Sequence, residues 1–152
     1  MSEEECEDYE EFEDGADGTV DQAPRRLRFS IGGYMGKSYQ ISWIPEIRSL
    51  CVRDWESGHE NKTEHLGNVT DAQWKVFWAV MDKLNVWDWR REYSADACDG
   101  TFWRLDIING SRRIQSQGSN AYPDGSYMHE PGPAFDMFLA AVNMLAGRDD
   151  IA

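Results

Sequence analysis

From Leu27 onward the chain alternates between apolar and polar residues. Leu27, Phe29 and Ile31 fall on one side and Arg28 and Ser30 on the other, the period-two signature of a half-buried strand. Gly32-Gly33 then predicts a turn. Tyr39, Ile41 and Trp43 share one face of a second strand that stops before Pro45, and Arg48 to Trp55, with Leu50 and Val52, predicts a third. Residues 56–68 (ESGHENKTEHLGN) show no periodicity and read as a polar loop.

The pattern changes to a helical period at Thr70. Thr70 and Gln73 have capping-box spacing, and Val69 is placed to staple onto Trp74. Trp74, Phe77, Trp78, Met81 and Leu84 recur at 3.6-residue spacing and define one apolar face of a helix ending near Asn85. Trp87-Asp88-Trp89 leads into a predicted loop through Asp99-Gly100. Asn109-Gly110, between two alternating segments, has the dipeptide of a two-residue type I′ hairpin. In that register facing residue numbers sum to 219. Trp103, Leu105 and Ile107 then face Ser116, Ile114 and Arg112, while Asp106 pairs with Arg113 and Arg104 with Gln115. After a Gly/Pro/Asn loop from Gly118 to Pro133, Phe135, Phe138, Leu139, Val142 and Leu145 predict a second amphipathic helix stopped by Gly147.

The predicted order is β-β-β-α-β-β-α. Two amphipathic helices need an apolar surface to cover, and a one-faced antiparallel sheet supplies it. The fold class is therefore α+β, two-layer, with an antiparallel sheet of about five strands packed against two amphipathic helices.

Charge divides the chain in two. Of 28 Asp and Glu against 15 Lys and Arg, eleven acids and no base lie within residues 1–24, among them Glu3, Asp8, Glu13 and Asp21. The rest of the chain keeps 17 acids and 15 bases and is nearly neutral. The first 24 residues read as a disordered acidic tail, since like charge and few apolar groups give it nothing to bury, and residues 25–152 as a single domain. Such a tail has a root-mean-square span of roughly 27 Å. The start lacks the basic and apolar regions of a secretory signal, and no stretch approaches the roughly 18 apolar residues of a membrane helix. The expected location is the cytoplasm.

Specific chemistries are mostly excluded. Gly32 to Ser38 (GGYMGKS) ends like a phosphate-binding loop, but Ile31 stands where the motif needs glycine, and Lys37-Ser38 opens a strand instead of a helix. His59, His65 and His129 lack metal-ligand spacing, and Cys6, Cys51 and Cys98 form no CxxC pair. No nucleophile motif or acidic pair stands out, so no catalytic, cofactor or metal residue is assigned. Arg25-Arg26, Arg90-Arg91 and Arg112-Arg113 are basic doublets, but the negative total and neighbouring acids argue against nucleic acid.

Seven tryptophans are the unusual feature of the body. Trp74, Trp78 and Trp103 fall on predicted core faces. Trp87 and Trp89 are candidates to flank a ligand groove with Trp55 and Tyr93, since stacked aromatics bind sugars and bases. In the Gly118-Ser-Asn-Ala-Tyr-Pro-Asp-Gly loop, Asn120 and Tyr122 are candidate binding residues. Trp103-Arg-Leu-Asp-Ile107, a tight hairpin, Gly118-x-Asn120-Ala-Tyr-Pro123 and a short amphipathic helix together resemble a pattern of small uncharacterised bacterial α+β domains. The resemblance covers about the last 45 residues and implies a compact α+β unit with no assigned activity. The functional expectation is a non-enzymatic interaction protein whose tail, with Tyr9 and Phe12 among carboxylates, docks on a basic protein surface. Alternatives are a small-ligand binder or enzyme using Trp87, Trp89 and the 118–125 loop, and an immunity-type protein neutralising a cationic toxin.

Overall fold

A computed structural model describes residues 22–33, 36–56, 59–67, 69–95, 100–123 and 131–152, with backbone alone at 60, 61 and 67. The tail residues Tyr9 and Phe12 lie outside them. The described chain forms strands β1 (Arg26–Gly33), β2 (Lys37–Ile44), β3 (Ser49–Glu56) and β4 (His59–Gly67), then helix α1 (Asp71–Lys83). Strands β5 (Glu92–Ser94), β6 (Thr101–Asn109) and β7 (Arg112–Ser119) and helix α2 (Pro133–Ala146) complete it. All strands join one seven-stranded sheet in the order β4-β3-β2-β1-β6-β7-β5. Every pairing is antiparallel except β5 with β7. The α+β class holds, but the sheet has two strands more than the pattern predicts.

Both additional strands have weak internal signals. β4 occupies the segment expected to be a loop: it is an edge strand, HENKTEHLG, in which Leu66 is the one large apolar residue. Polar and charged edges discourage pairing with other chains, which erases the alternation that would announce the strand. β5 is three residues long and gains its place only by pairing with β7. A 3-10 turn at Val86–Asp88 precedes it, where the sequence reads as loop. Gly32 and Gly33 belong to β1 and not to a turn, pairing with Phe102 and Thr101.

The hairpin register is shifted. Asn109 is the last residue of β6 and faces Arg112, so the two-residue connection is Gly110-Ser111, with Gly110 at φ +65°. Glycine thus takes the first central position, where a II′-type turn requires positive φ. Facing residues sum to 221: Trp103 meets Gly118, Leu105 meets Ser116 and Ile107 meets Ile114. A slip of two residues keeps every side chain on its face but changes its partner. Asp106 therefore faces Gln115 rather than Arg113 and forms its ion pair with Arg26 on β1, at 2.9 Å.

The core lies between one sheet face and the two helices. Leu27, Phe29, Tyr39, Ile41, Trp43, Leu50, Val52, Leu105 and Ile107 are buried there, as are Trp74, Phe77, Trp78 and Met81 of α1 and Phe135, Phe138 and Val142 of α2. Aromatic contacts join the layers: Phe29 meets Phe138 edge-on at 4.9 Å, and Trp43 meets Trp74 edge-on at 5.1 Å. The chain enters this core at Gln22, whose carbonyl accepts the indole N–H of Trp78 at 2.7 Å, and Pro24 is buried. At the other end the Asn143 side chain bonds both backbone groups of buried Ile151. Arg148 meets Asp150 at 2.8 Å, Glu64 at 3.4 Å and Asp54 at 3.5 Å, and its guanidinium holds the Asp150 carboxyl below the usual carboxylate range.

Helix α1 starts as the sequence predicts. Gln73 N donates to Thr70 Oγ1 at 3.1 Å and Thr70 N donates to Gln73 Oε1 at 2.9 Å, a complete capping box. Replacing Thr70 by Ala removes one half of it and is expected to lower unfolding free energy by about 1 kcal/mol, with Thr70→Ser close to wild type, in urea denaturation. Equal stability of all three proteins would show that the cap contributes nothing.

Candidate functional site

The pleat sends one side chain of every two away from the helices, and no described helix or strand covers that second face. One register line crosses all seven strands on it: Thr63, Arg53, Gln40, Ser30, Arg104, Gln117 and Glu92. The next line sets Arg28 between Ser42 and Asp106, and the one beyond sets Ile108 between Arg26 and Arg113. Two of the three arginine doublets are thereby split, because the pleat turns Arg26 and Arg113 to this face and their neighbours elsewhere.

The result is a segregated charge. Arg26, Arg28, Arg53, Arg104 and Arg113 stand on the uncovered face against Asp106 and Glu92, a balance of +3 among the described side chains. The two helices together hold Lys75 and Lys83 against Asp71, Asp82 and Asp136, a balance of −1. A body near neutrality in sum is thus basic on one face. Arg53, Arg104 and Arg113 are exposed. Gln117 Oε1 accepts from both Nε (3.3 Å) and Nη2 (3.2 Å) of Arg104, which fixes the plane of the exposed guanidinium.

Beside Arg104 an open cleft of about 310 Å³ is lined by Ser30, Glu92, Phe102, Gln117 and Ser119 among others. Phe102 is 55% exposed on this face, an apolar contact next to a cation. Trp55 projects on the same face of β3, with Arg53 over its ring at 5.9 Å. The arrangement offers arginine forks, amide and hydroxyl groups and two aromatics on a rigid scaffold, a chemistry of recognition. Among the described residues no three His, Cys, Asp or Glu side chains gather as a metal-binding group. No helix among them is long and apolar enough to cross a membrane.

Of the residues singled out from the sequence, Trp55 stands on this face and Tyr93, Gly118 and Ser119 line the cleft, while Trp87, Trp89, Asn120 and Tyr122 lie elsewhere. Trp87 packs beside Trp78, donates its indole N–H to Asp82 Oδ1 at 2.9 Å and carries Arg112 over its ring at 4.4 Å. Trp89 lies on the helix side, edge-on to Trp103 at 6.1 Å and to Phe138 at 5.7 Å. Tyr122 is stacked on Trp103 with an interplanar angle of 11°. The structure therefore brings Trp89 and Tyr122 together around Trp103, and it joins neither Trp87 nor Trp55 to them. Asn120 is buried at φ +59°, its Oδ1 accepts Thr101 N at 3.0 Å and its Nδ2 reaches the Ala95 carbonyl.

The 118–122 loop is built around one indole. Trp103 lies across Gly118, where a Cβ would come within 2.2 Å of its Nε1, and that N–H donates to the Ala121 carbonyl at 2.9 Å. Gly118, Asn120, Ala121 and Tyr122 each hold Trp103 or the start of β6. No protein-family model matches the chain, and no curated protein matches it.

The sequence reading missed Phe102, Arg53, Arg104 and Gln117. The signal was available as parity: arginines recurring at polar positions of alternating segments.

Two substitutions test these assignments. Asn120→Gly keeps the backbone but frees Thr101 N–H, and should cost about 1–3 kcal/mol in chemical denaturation. Asn120→Ala should cost roughly 1 kcal/mol more because of its left-handed backbone; wild-type stability of both would show that the loop is not structural. Asp82 also joins Arg112 at 2.8 Å, and its carboxyl is held below the ordinary range by the Trp87 N–H and then by Arg112. A depressed folded pKa stabilises above the unfolded value of about 3.9 and loses that contribution as pH falls through the folded value. Asp82→Asn should therefore be less stable near neutrality, by under about 1 kcal/mol since the carboxylate is half exposed, and the gap should close in acid. Melts across pH measure it.

Proposed function

We propose that this chain is a non-enzymatic interaction protein of the cytoplasm that recognises protein partners by charge complementarity. Its acidic N-terminal segment docks on a basic surface, and the arginine-bearing sheet face is its rigid counterpart for acidic chain segments. The observation that carries the reading is the segregation of charge. Eleven acids stand within residues 1–21 with no base, while five arginines and the exposed Phe102 share the one sheet face that the helices leave uncovered. Arginine suits this role because its fork pairs with carboxylates in two-point contacts and its stem buries apolar surface. Each exposed pair contributes about 0.2–1 kcal/mol, so recognition arises from several pairs together and weakens with salt.

Calorimetric titration with short homopolymers separates the two elements. Polylysine should bind the full chain and lose affinity when the eleven N-terminal acids are converted to their amides. Polyglutamate should bind the sheet face, and Arg53→Gln combined with Arg104→Gln should weaken it by about tenfold, near 1.4 kcal/mol. Unchanged binding of both peptides by these variants would overturn the reading.

A further inference from the structure

The basic surface closest to the acidic segment is the chain's own. We propose that residues 1–21 occupy the uncovered sheet face of the same molecule, their carboxylates against Arg26, Arg28, Arg53, Arg104 and Arg113, and so act as a built-in competitor for acidic partners. The inference rests on the reading of that face as a receptor for acidic chain segments.

Three observations support this occupant. The first is complementarity: eleven carboxylates without a base face a surface whose described side chains balance at +3, whereas the helix layer balances at −1. The second is the point of departure. Gln22 is held by Trp78, Arg25 N donates to the Ile108 carbonyl at 2.9 Å, and the chain then runs directly into β1, the middle strand of the sheet. Gln22, whose N–H also reaches Asp71 Oδ1 at 3.4 Å, therefore sits against α1, and residues 1–21 join it four positions before Arg26, so the segment has to round the start of β1 to reach the arginine face. The third is reach. Twenty-one residues span at most roughly 70 Å, and seven strands are about 29 Å across, so every arginine of the face lies within range of Gln22 even though the segment starts on the helix side.

Tethering gives this contact its advantage. A segment tethered to the same chain as its site acts at an effective concentration in the millimolar range, roughly, without needing strong individual pairs. The contact is exposed and multivalent, so salt should release it. A partner gains access only by outcompeting the segment, which raises the selectivity of the face for chains that are more acidic or that also engage Phe102.

The test uses the full-length chain. A nitroxide on Cys6, with Cys51→Ala and Cys98→Ala, should broaden the amide signals of Ser30, Arg104 and Gln117 at low salt. Broadening should vanish at high salt and with Arg53→Gln, Arg104→Gln and Arg113→Gln together, circular dichroism confirming that each variant is folded. Broadening absent from these amides, or confined to α1 and α2, overturns the proposal. So does broadening that passes to unlabelled isotope-enriched molecules in a mixture, which would assign the segment to a second copy. Polyglutamate affinity supplies the second readout: amidating the eleven acids should raise it about three- to tenfold, as removal of a tethered competitor requires. Equal affinity before and after overturns the built-in competitor alone, and no binding by either form overturns the reading of the face as well.

Discussion

A pleated strand sends its side chains to two faces, and two helices can cover only one face of a sheet seven strands wide. Everything else in this molecule follows from that inequality. The covered face takes Leu27, Phe29, Ile41, Trp43, Leu50, Leu105 and Ile107, and α1 and α2 close over it with Trp74 and Phe138 fully buried. The other face has to be compatible with solvent, and the chain meets the requirement with serine, glutamine and arginine. Solvation alone would accept either sign of charge. The excess of arginine over acid on that face is the part that solvation does not explain, and the acidic N-terminal sequence gives it a physical counterpart.

The aromatic residues divide along the same line. Trp103 is enclosed by Trp89, Tyr93, Tyr122 and Phe135, and its one polar atom is satisfied by the Ala121 carbonyl. Large rings of this kind fill the wedge between the sheet and α2 near the edge strand β5, where Tyr93 faces Gly118 across the ladder. Trp87 instead joins the end of α1 to the β6–β7 hairpin, its indole N–H and the Arg112 guanidinium both donating to Oδ1 of Asp82. Phe102 and Trp55 are the exceptions, large rings left on the arginine face.

Much of this was legible in the sequence because it is local. The capping box at Thr70 and Gln73, the amphipathic faces of α1 and α2, the stop at Gly147 and the alternation of β1, β2 and β6 all arise from residues within a few positions of one another. The failures are non-local. β4 carries charge where an inner strand would carry Val or Ile, and only its ladder with β3 makes it a strand. β5 exists because β7, more than twenty residues later, offers an edge. The hairpin connection went wrong by the smallest step the pleat tolerates, since Asn109-Gly110 and Gly110-Ser111 both supply a glycine at the turn. At Asn120 and Tyr122 turn chemistry and binding chemistry use the same residue types, and their contacts with Thr101 and Trp103 are non-local and visible only in the fold. The five arginines are dispersed over four strands, β1, β3, β6 and β7, and become one surface only when the strand order is known.

The position of β1 also shapes how the molecule comes together. β1 to β4 form a meander of neighbouring strands and β6 with β7 a hairpin, so each can assemble from local contacts. The two are joined by β1 and β6, in which Leu27 faces Ile107 across 80 positions of sequence. Loop-closure entropy falls most heavily on that seam, and contact order ties folding speed to it. The centre of the sheet is thus the last pairing that local structure can secure, and the route to the native state passes through the strand that follows the acidic segment.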